Sequence, residues 1–428
     1  MTELAESPLA AGDRNLSVAQ ARAAIAAALQ PITAIENVPL TQALGRVLAT
    51  DVISPIDVPA HDNSAMDGYA FRGGELQPTG ATRLRSVGTL FAGAPWAGPV
   101  GSGECLRIMT GAVMPTDLDT VVPLELCRVD GDQVHIDAGT IRQGDNRRRR
   151  GEDLAVGRPA LEAGRVLKPA DLGLVASLGI AEVAARRRLR VALFSTGNEL
   201  RTLGQALDAG SVYDSNRYSL MGALQRLGMD VVDLGLVQDD PLALQATLET
   251  AVREADVVLT SGGVSMGDAD HTREVLARLG EVAFWKVAMR PGRPFAFGPL
   301  SRTGRDVGDA RPCWLFALPG NPVAALVTFY AFAREALLQL AGAAPQPLPV
   351  LQARCTTALR KRPGRTEFQR GIVEPAADGV WQVRLTGSQG AGVLRSMSEA
   401  NALVVLGHEQ GSVAEGGLVD VWLFDGLV

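Results

Sequence analysis

The residues best suited to chemistry in this 428-residue chain sit in four short polar turns, each placed after a mostly apolar run. Ser195-Thr196-Gly197-Asn198-Glu199 closes the run 191–195, and Asp239-Asp240 follows 231–237. After 257–260 comes SGGVSMGDAD, which supplies Ser261, Gly262, Gly263, Ser265, Gly267, Asp268 and Asp270. After 314–318 comes Pro319-Gly320-Asn321-Pro322. Open parallel sheets bind ligands at the carboxyl ends of their strands, so four such turns at one sheet edge imply a cleft there. Asn321 as cap with Pro322 in first position reads as a helix start. A helix start offers unpaired N–H groups and a positive dipole end, which suit an anion, with phosphate the natural choice. Neither GxxxxGK[ST] nor a strand-borne GxGxxG occurs, so the common nucleotide cradles are excluded.

Glu199, Asp239 and Asp270 would stand beside that anion. Two unit charges ~4 Å apart repel by roughly 4 kcal/mol at an effective dielectric of ~20. A divalent cation with oxygen ligands, Mg²⁺ foremost, resolves the conflict; the plainer reading is that each acid caps a helix or faces water. The basic counterpart is FWKVAMRPGRPFAFG, which gathers Lys286, Arg290 and Arg293. Lys168, Lys286 and Lys361 are the only lysines among 41 basic residues, which marks Lys286 for a specific role. Elsewhere, HDNSAMDGYAFR crowds Asp62, Asn63, Ser64 and Asp67, RIMTGAVMP exposes Thr110, and Asp153 follows the arginine run 147–150. That run reads more readily as a solvated loop than as an anion clamp.

Positioning these residues requires alternating strands and helices from residue 190 onward. Strands are expected at 191–195, 231–237, 257–260, 282–288 and 314–318, and helices at 216–227, 241–254, 270–279 and 322–340. That rhythm predicts βαβ units and a mostly parallel sheet. Residues 51–145 and 343–428 instead show short alternating runs cut by Gly/Pro turns, which predicts an inserted β domain and a C-terminal β-barrel. Residues 1–50 and 146–186 are left as an elongated N-terminal part holding a helix capped by Ser17, and 187–342 as the α/β domain. Residues 299–311 read as an inserted surface loop.

Composition narrows the function classes. With 46% hydrophobic and 21% charged residues the chain can bury several cores. A net charge of −6 and 5% aromatic residues argue against nucleic-acid and anionic-membrane partners. The four cysteines form no CxxC pair, so zinc and disulfide frameworks are not expected. The acidic N-terminus does not read as a signal peptide, and Arg334 and Glu335 interrupt the most apolar stretch, so a cytoplasmic protein is expected.

In combination, DNSAMDGYAFR, IMTGAVMP, RRGEDL, FSTGNELRTLG, GSVYDSNRYSL, SGGVSMGDADHTREVL, VAMRPGRPFAFG and ALPGNPVAALVTF resemble the molybdopterin molybdenumtransferases, the MoeA and gephyrin E-domain family. The resemblance implies an elongated homodimer with a molybdopterin-binding α/β domain, an inserted β domain and a C-terminal barrel. It also implies insertion of molybdate into adenylylated molybdopterin with release of AMP, a Mg²⁺ requirement, and a molybdopterin adenylyltransferase as pathway partner. In that scheme Asp67, Thr110 and Asp153 approach Glu199 and Asp270 across the dimer, with Asp239, Lys286 and Arg290 as further catalytic residues. The cation would lie on Glu199, Asp239 and Asp270. Ser195, Thr196, Gly197, Ser261, Gly262, Gly263, Ser265, Gly267, Arg293, Pro319, Gly320, Asn321 and Pro322 would hold the pterin and its phosphates. Where the family usually reads GDEL and KPGKP, this chain has Gly197-Asn198-Glu199-Leu200 and Arg290-Pro291-Gly292-Arg293-Pro294. A nucleotidyltransferase, a receptor-binding scaffold and a tungstate-preferring paralogue are the competing readings.

Overall fold

Strand-forming residues of the α/β region build a seven-stranded sheet in the order Asn15–Leu16, Ala283–Val287, Pro294–Leu300, Cys313–Leu318, Val257–Ser261, Arg190–Thr196, Asp230–Val237. The computed structural model describes residues 15–263, 269–301, 311–346 and 348–426. All pairings are parallel except those of Pro294–Leu300, which runs against both neighbours. The sequence reading placed no strand there, because prolines at 291, 294 and 299 mask it. Pro294 is tolerated because it opens the strand.

Alternate side chains of the central strands enter opposite layers, the period of two that a strand imposes. Val191, Leu193, Phe316 and Leu318 join one apolar core, and Ala192, Phe194, Leu315 and Ala317 the other. Helices Pro241–Glu254 and Ala269–Leu279 cover the second layer through Leu244, Leu248, Val252, Val275 and Leu276. Helix Ser215–Arg226 covers the first with Leu220 and Leu224, both fully buried. Each such leucine contributes about 1.5–3 kcal/mol relative to exposure.

The expected helix 322–340 is Pro322–Thr328, a wide π turn at Phe329–Ala333, and Arg334–Leu340. It is long and apolar enough to cross a membrane, yet 72% of its most apolar window is buried inside the protein. Against it lies the N-terminal helix Val18–Ala28, with Ser17 and Gln20 forming a reciprocal capping box. Arg22 Nε donates to Ala331 O at 2.7 Å across that contact. Residues 15–28 thus pack with the α/β sheet, whereas the sequence reading grouped them with the elongated part.

That part is held by three antiparallel pairs: Ile35–Pro39 with Glu182–Arg186, Val52–Ile53 with Pro159–Leu161, and Asn63–Ser64 with Arg147–Arg148. Between the two halves of these ladders the chain forms a six-stranded sheet from Gly68–Phe71 to Gln133–Asp137. The arginine run sits at the junction, and three of its four side chains are paired locally. Arg147 pairs with Asp62, Arg148 with Glu152, and Arg150 with Asp57.

Beyond 348, strands Thr366–Pro375, Trp381–Leu385, Leu351–Cys355, Leu418–Leu423 and Ala402–Leu406 pair in that order, and the last returns to the first, closing a five-stranded barrel. Met289–Arg290 adds to its edge through Thr366 and Glu367, so the barrel docks on the connector between two strands of the α/β sheet.

Candidate active site

Register decides where the four polar turns meet. Ser195 lies opposite Ser261, Ser261 opposite Leu318, and Thr196 opposite Val237, so the carboxyl ends of the parallel strands are level. The turns that follow enclose a cleft of about 1290 Å³. Thr196, Gly197, Asn198 and Glu199 form one wall, with Gln238, Asp239 and Asp240 beside them. Ser261, Gly262 and Gly263 form the floor together with Pro319, Gly320, Asn321 and Pro322. Arg290 stands on the opposite side with Pro291 and Gly292, and Gln389, Ala391, Gly392 and Leu394 of the C-terminal part complete the rim.

Close backbone approach makes one of the glycines obligatory. Gly262 has φ +97°, and a Cβ there would meet Thr196 O at 2.3 Å. Gly197 leaves space of a different kind, since a Cβ would meet a Glu199 carboxylate oxygen at 2.6 Å.

Most buried polar groups at this edge are committed to each other. Ser195 Oγ donates to Asp214 Oδ1 at 3.0 Å, and Asp214 also accepts the Arg217 N–H at 3.2 Å as the cap of helix Ser215–Arg226. Ser195, expected to touch ligand, is therefore an internal brace and does not line the cleft. Asn216 Nδ2 donates to Ser261 Oγ and to Gly320 O, both at 2.7 Å, and Ser261 Oγ donates to Pro319 O at 3.3 Å. One amide thereby ties a helix start to two strand ends. Sequence reasoning did not single out Asn216, although it lies within the DSNRYSL match.

The helix starts are less open to an anion than expected. Asp240 Oδ2 accepts the Ala243 N–H at 2.8 Å, and Pro241 has no N–H to give. Asn321 occupies the cap position before Pro322, but its side chain makes no capping bond. The next donor, the Val323 N–H, goes to Ala391 O of the C-terminal part at 3.0 Å.

The acidic wall is organised around Asp239. Thr196 Oγ1 donates to Asp239 Oδ1, the Asn198 N–H donates to Oδ2 at 3.3 Å, and the Asp239 N–H returns to Asn198 Oδ1 at 3.3 Å. Glu199 is exposed beside this ring. Among the described residues no group of three or more His, Cys, Asp and Glu side chains is placed to hold a metal ion. Glu199 and Asp239 nevertheless give two hard oxygen donors on one wall. That set fits Mg²⁺, which keeps several waters and takes one or two carboxylates. Asp270 falls in helix Ala269–Leu279, but its side chain, like Ser265 and Gly267, lies outside the described residues; so does most of the 299–311 loop.

Of the three basic residues only Arg290 lines the cleft. Lys286 sits within the sheet, between Asn15 and Pro294, and Arg293 is exposed outside the cleft lining. The neighbouring cation is one the sequence did not point to. Arg370 is almost fully buried, and its guanidinium donates to Ser396 Oγ and to the carbonyls of Ser388, Gln389 and Gly390 at 3.0–3.2 Å. Burial and then the nearby Arg290 hold its pKa down to about 10. Arg370 thus shapes the loop that carries Gln389 and Ala391 into the cleft.

Asp67, Thr110 and Asp153 do not line this cleft. Asp67 Oδ1 accepts both the N–H and the hydroxyl of Thr110 at 2.7 Å, and these bonds hold its carboxyl below the usual range. Asp153 is exposed, its N–H bonded to Val58 O at 3.1 Å.

Comparison with known proteins agrees with this architecture in every part. The MoeA N-terminal region (domain I and II) matches residues 16–179, a probable molybdopterin binding domain matches 192–339, and the MoeA C-terminal region (domain IV) matches 352–424. The chain is 40% identical to the molybdopterin molybdenumtransferase of Haemophilus influenzae, covering 96% of this chain and 100% of that one. It is 37% identical to molybdopterin molybdenumtransferase 2 of Mycobacterium tuberculosis, with 92% and 95% covered. The crystal structure of the molybdopterin biosynthesis MoeA protein from Pyrococcus horikoshii superposes with a TM-score of 0.81 at 25% identity, covering 96% and 100%. With all three regions matched in order over nearly the whole length, this chain belongs to the MoeA family of molybdopterin molybdenumtransferases.

Proposed function

We propose that this protein inserts molybdate into adenylylated molybdopterin and releases AMP, acting in the cytoplasm as a Mg²⁺-dependent homodimer supplied by a molybdopterin adenylyltransferase. The observation that carries the reading is the convergence of four strand-end turns on one cleft with carboxylates on one wall and Arg290 on the other. A substrate joining a phosphoanhydride to a dithiolene needs both, and the dithiolene brings its own sulfurs, so no catalytic cysteine is required. Three of the cysteines are buried away from the cleft and the fourth, Cys127, is only half-buried and does not line it.

In this scheme the Gly262–Gly263 and Pro319–Asn321 turns receive the pterin and its phosphate, while Arg290 attracts molybdate and stabilises charge on the departing AMP. Mg²⁺, held by Glu199 and Asp239 with Asp270, would neutralise charge on the phosphoanhydride. The Asp67–Thr110 pair and Asp153 enter the cleft from a second copy of the chain. The ring around Asp239 fixes the Thr196–Asn198 turn and so aims Glu199.

The test is an insertion assay with purified adenylylated molybdopterin, molybdate and Mg²⁺, following AMP and active cofactor together. Both appear only with molybdate if the reading is right; tight pterin binding without turnover refutes it. Asp67→Ala and Glu199→Ala chains are each expected to be inactive and to regain part of the activity when mixed. Mixed dimers with no recovery would rule out the shared cleft.

A further inference from the structure

We propose that Asn198 sets how the acidic wall meets its ligand: its side-chain N–H donates directly to an anionic oxygen of a phosphate ester. An ionised aspartate at this position could reach such an oxygen only through a divalent cation. The inference rests on the cleft being the site of the reaction proposed above.

The orientation of the amide follows from its partner. The Asp239 N–H can only donate, so the group facing it at 3.3 Å is the Asn198 amide oxygen. The Asn198 N–H closes the ring on Asp239 Oδ2, again at 3.3 Å. The amide nitrogen therefore lies on the other side of the carboxamide, and it makes no hydrogen bond among the described residues. Asn198 is exposed and lines the cleft next to Glu199. The donor is fixed in direction and open in partner.

An aspartate here would keep the acceptor for the Asp239 N–H, so the turn would stand. Its second oxygen would replace the amide nitrogen, turning a donor into an acceptor and adding one negative charge beside Glu199 and Asp239. A phosphate ester would then meet repulsion where it now meets a hydrogen bond, unless a cation came between them. Position 198 is in this way a switch between direct and cation-bridged contact, made by one atom.

The experiment titrates AMP into the full-length chain, Asn198→Asp and Asn198→Ala by calorimetry, in EDTA and in Mg²⁺. The unaltered chain is expected to bind AMP in EDTA within about tenfold of its affinity in Mg²⁺. Asn198→Asp should bind at least about tenfold more weakly in EDTA, the scale of a lost hydrogen bond to a charged group, and Mg²⁺ should restore most of that loss. Asn198→Ala should weaken by a similar factor in both media. Equal affinities for Asn198→Asp and the unaltered chain in both media overturn the inference, as does a loss that Mg²⁺ leaves in place, or an Asn198→Ala chain that binds as tightly as the unaltered one. Binding of AMP by none of the chains in either medium overturns it together with the functional reading beneath it.

Discussion

Replacing Asn216 tests whether the cleft floor is held by one amide. Its Nδ2 makes two bonds of 2.7 Å, to Ser261 Oγ and Gly320 O, in a residue only 9% exposed. Two such bonds contribute about 1–3 kcal/mol net. Asn216→Ala should therefore open the strand ends locally by that amount. Asn216→Asp should be worse at neutral pH, because the carboxylate cannot donate and faces the Gly320 carbonyl. Ser261 can turn its hydroxyl from Pro319 O to the new carboxylate, but Gly320 O still gains no donor. Low pH should bring Asn216→Asp back toward Asn216→Ala, since protonation restores one donor. Global unfolding of a multidomain chain is a poor measure of this. Hydrogen exchange at Gly262, whose N–H bonds Leu318 O at 3.1 Å, reads the site directly. Exchange there should quicken on the order of 5- to 150-fold in Asn216→Ala and further in Asn216→Asp. Unchanged protection in both variants, or an aspartate milder than alanine at pH 7, would refute the argument.

Other perturbations follow from single contacts. Gly262→Ala combines φ +97° with a 2.3 Å approach to Thr196 O, so it should cost at least about 1–3 kcal/mol and lower the melting temperature in a thermal scan. Thr110→Val removes the hydroxyl donor to Asp67 but keeps the N–H, so the Asp67 carboxyl should titrate higher than in the unaltered chain in a ¹³C NMR pH series. Because that carboxyl is held low in the folded state, its contribution to stability is present above the ordinary carboxylate range. It fades only as pH falls through the depressed value. Arg370→Lys supplies three donors where the guanidinium offers five, so limited proteolysis within 386–393 should quicken while the barrel strands stay protected.

The four turns were legible in the sequence because each is a Gly, Asn or Asp stop after a mostly apolar run, and strand register alone brings such stops level. What a strand does to neighbouring side chains was harder to read. Ser195 and Thr196 look equivalent in sequence, yet alternation sends Ser195 inward to Asp214 and Thr196 to Asp239. Lys286 and Arg290 are four residues apart, but Lys286 is still within the sheet while Arg290 has passed into the connector that pairs with the barrel. The contributions of Gln389, Ala391 and Arg370 depend on how the barrel docks, and no local pattern encodes that. Asp67, Thr110 and Asp153 are a third case: their types were readable, but one copy of the chain places them outside the cleft.

How this cleft manages an anion follows from what its polar atoms have already been used for. Asp214, Asp240 and Ala391 take donors from three helix starts, and Ser195, Ser261 and Asn216 bond within the protein. The helix ends therefore serve chiefly to lock the sheet edge. Among the groups that remain open at the rim are the Asn198 amide nitrogen, the Glu199 carboxylate and the Arg290 guanidinium, all exposed. The Arg290 backbone, on a connector of the α/β sheet, also pairs with the barrel strand Thr366–Pro375, so both domains hold that side of the cleft. In the proposed reaction ligand charge would be met by side chains at the rim, above a floor that the Asn216 network ties together.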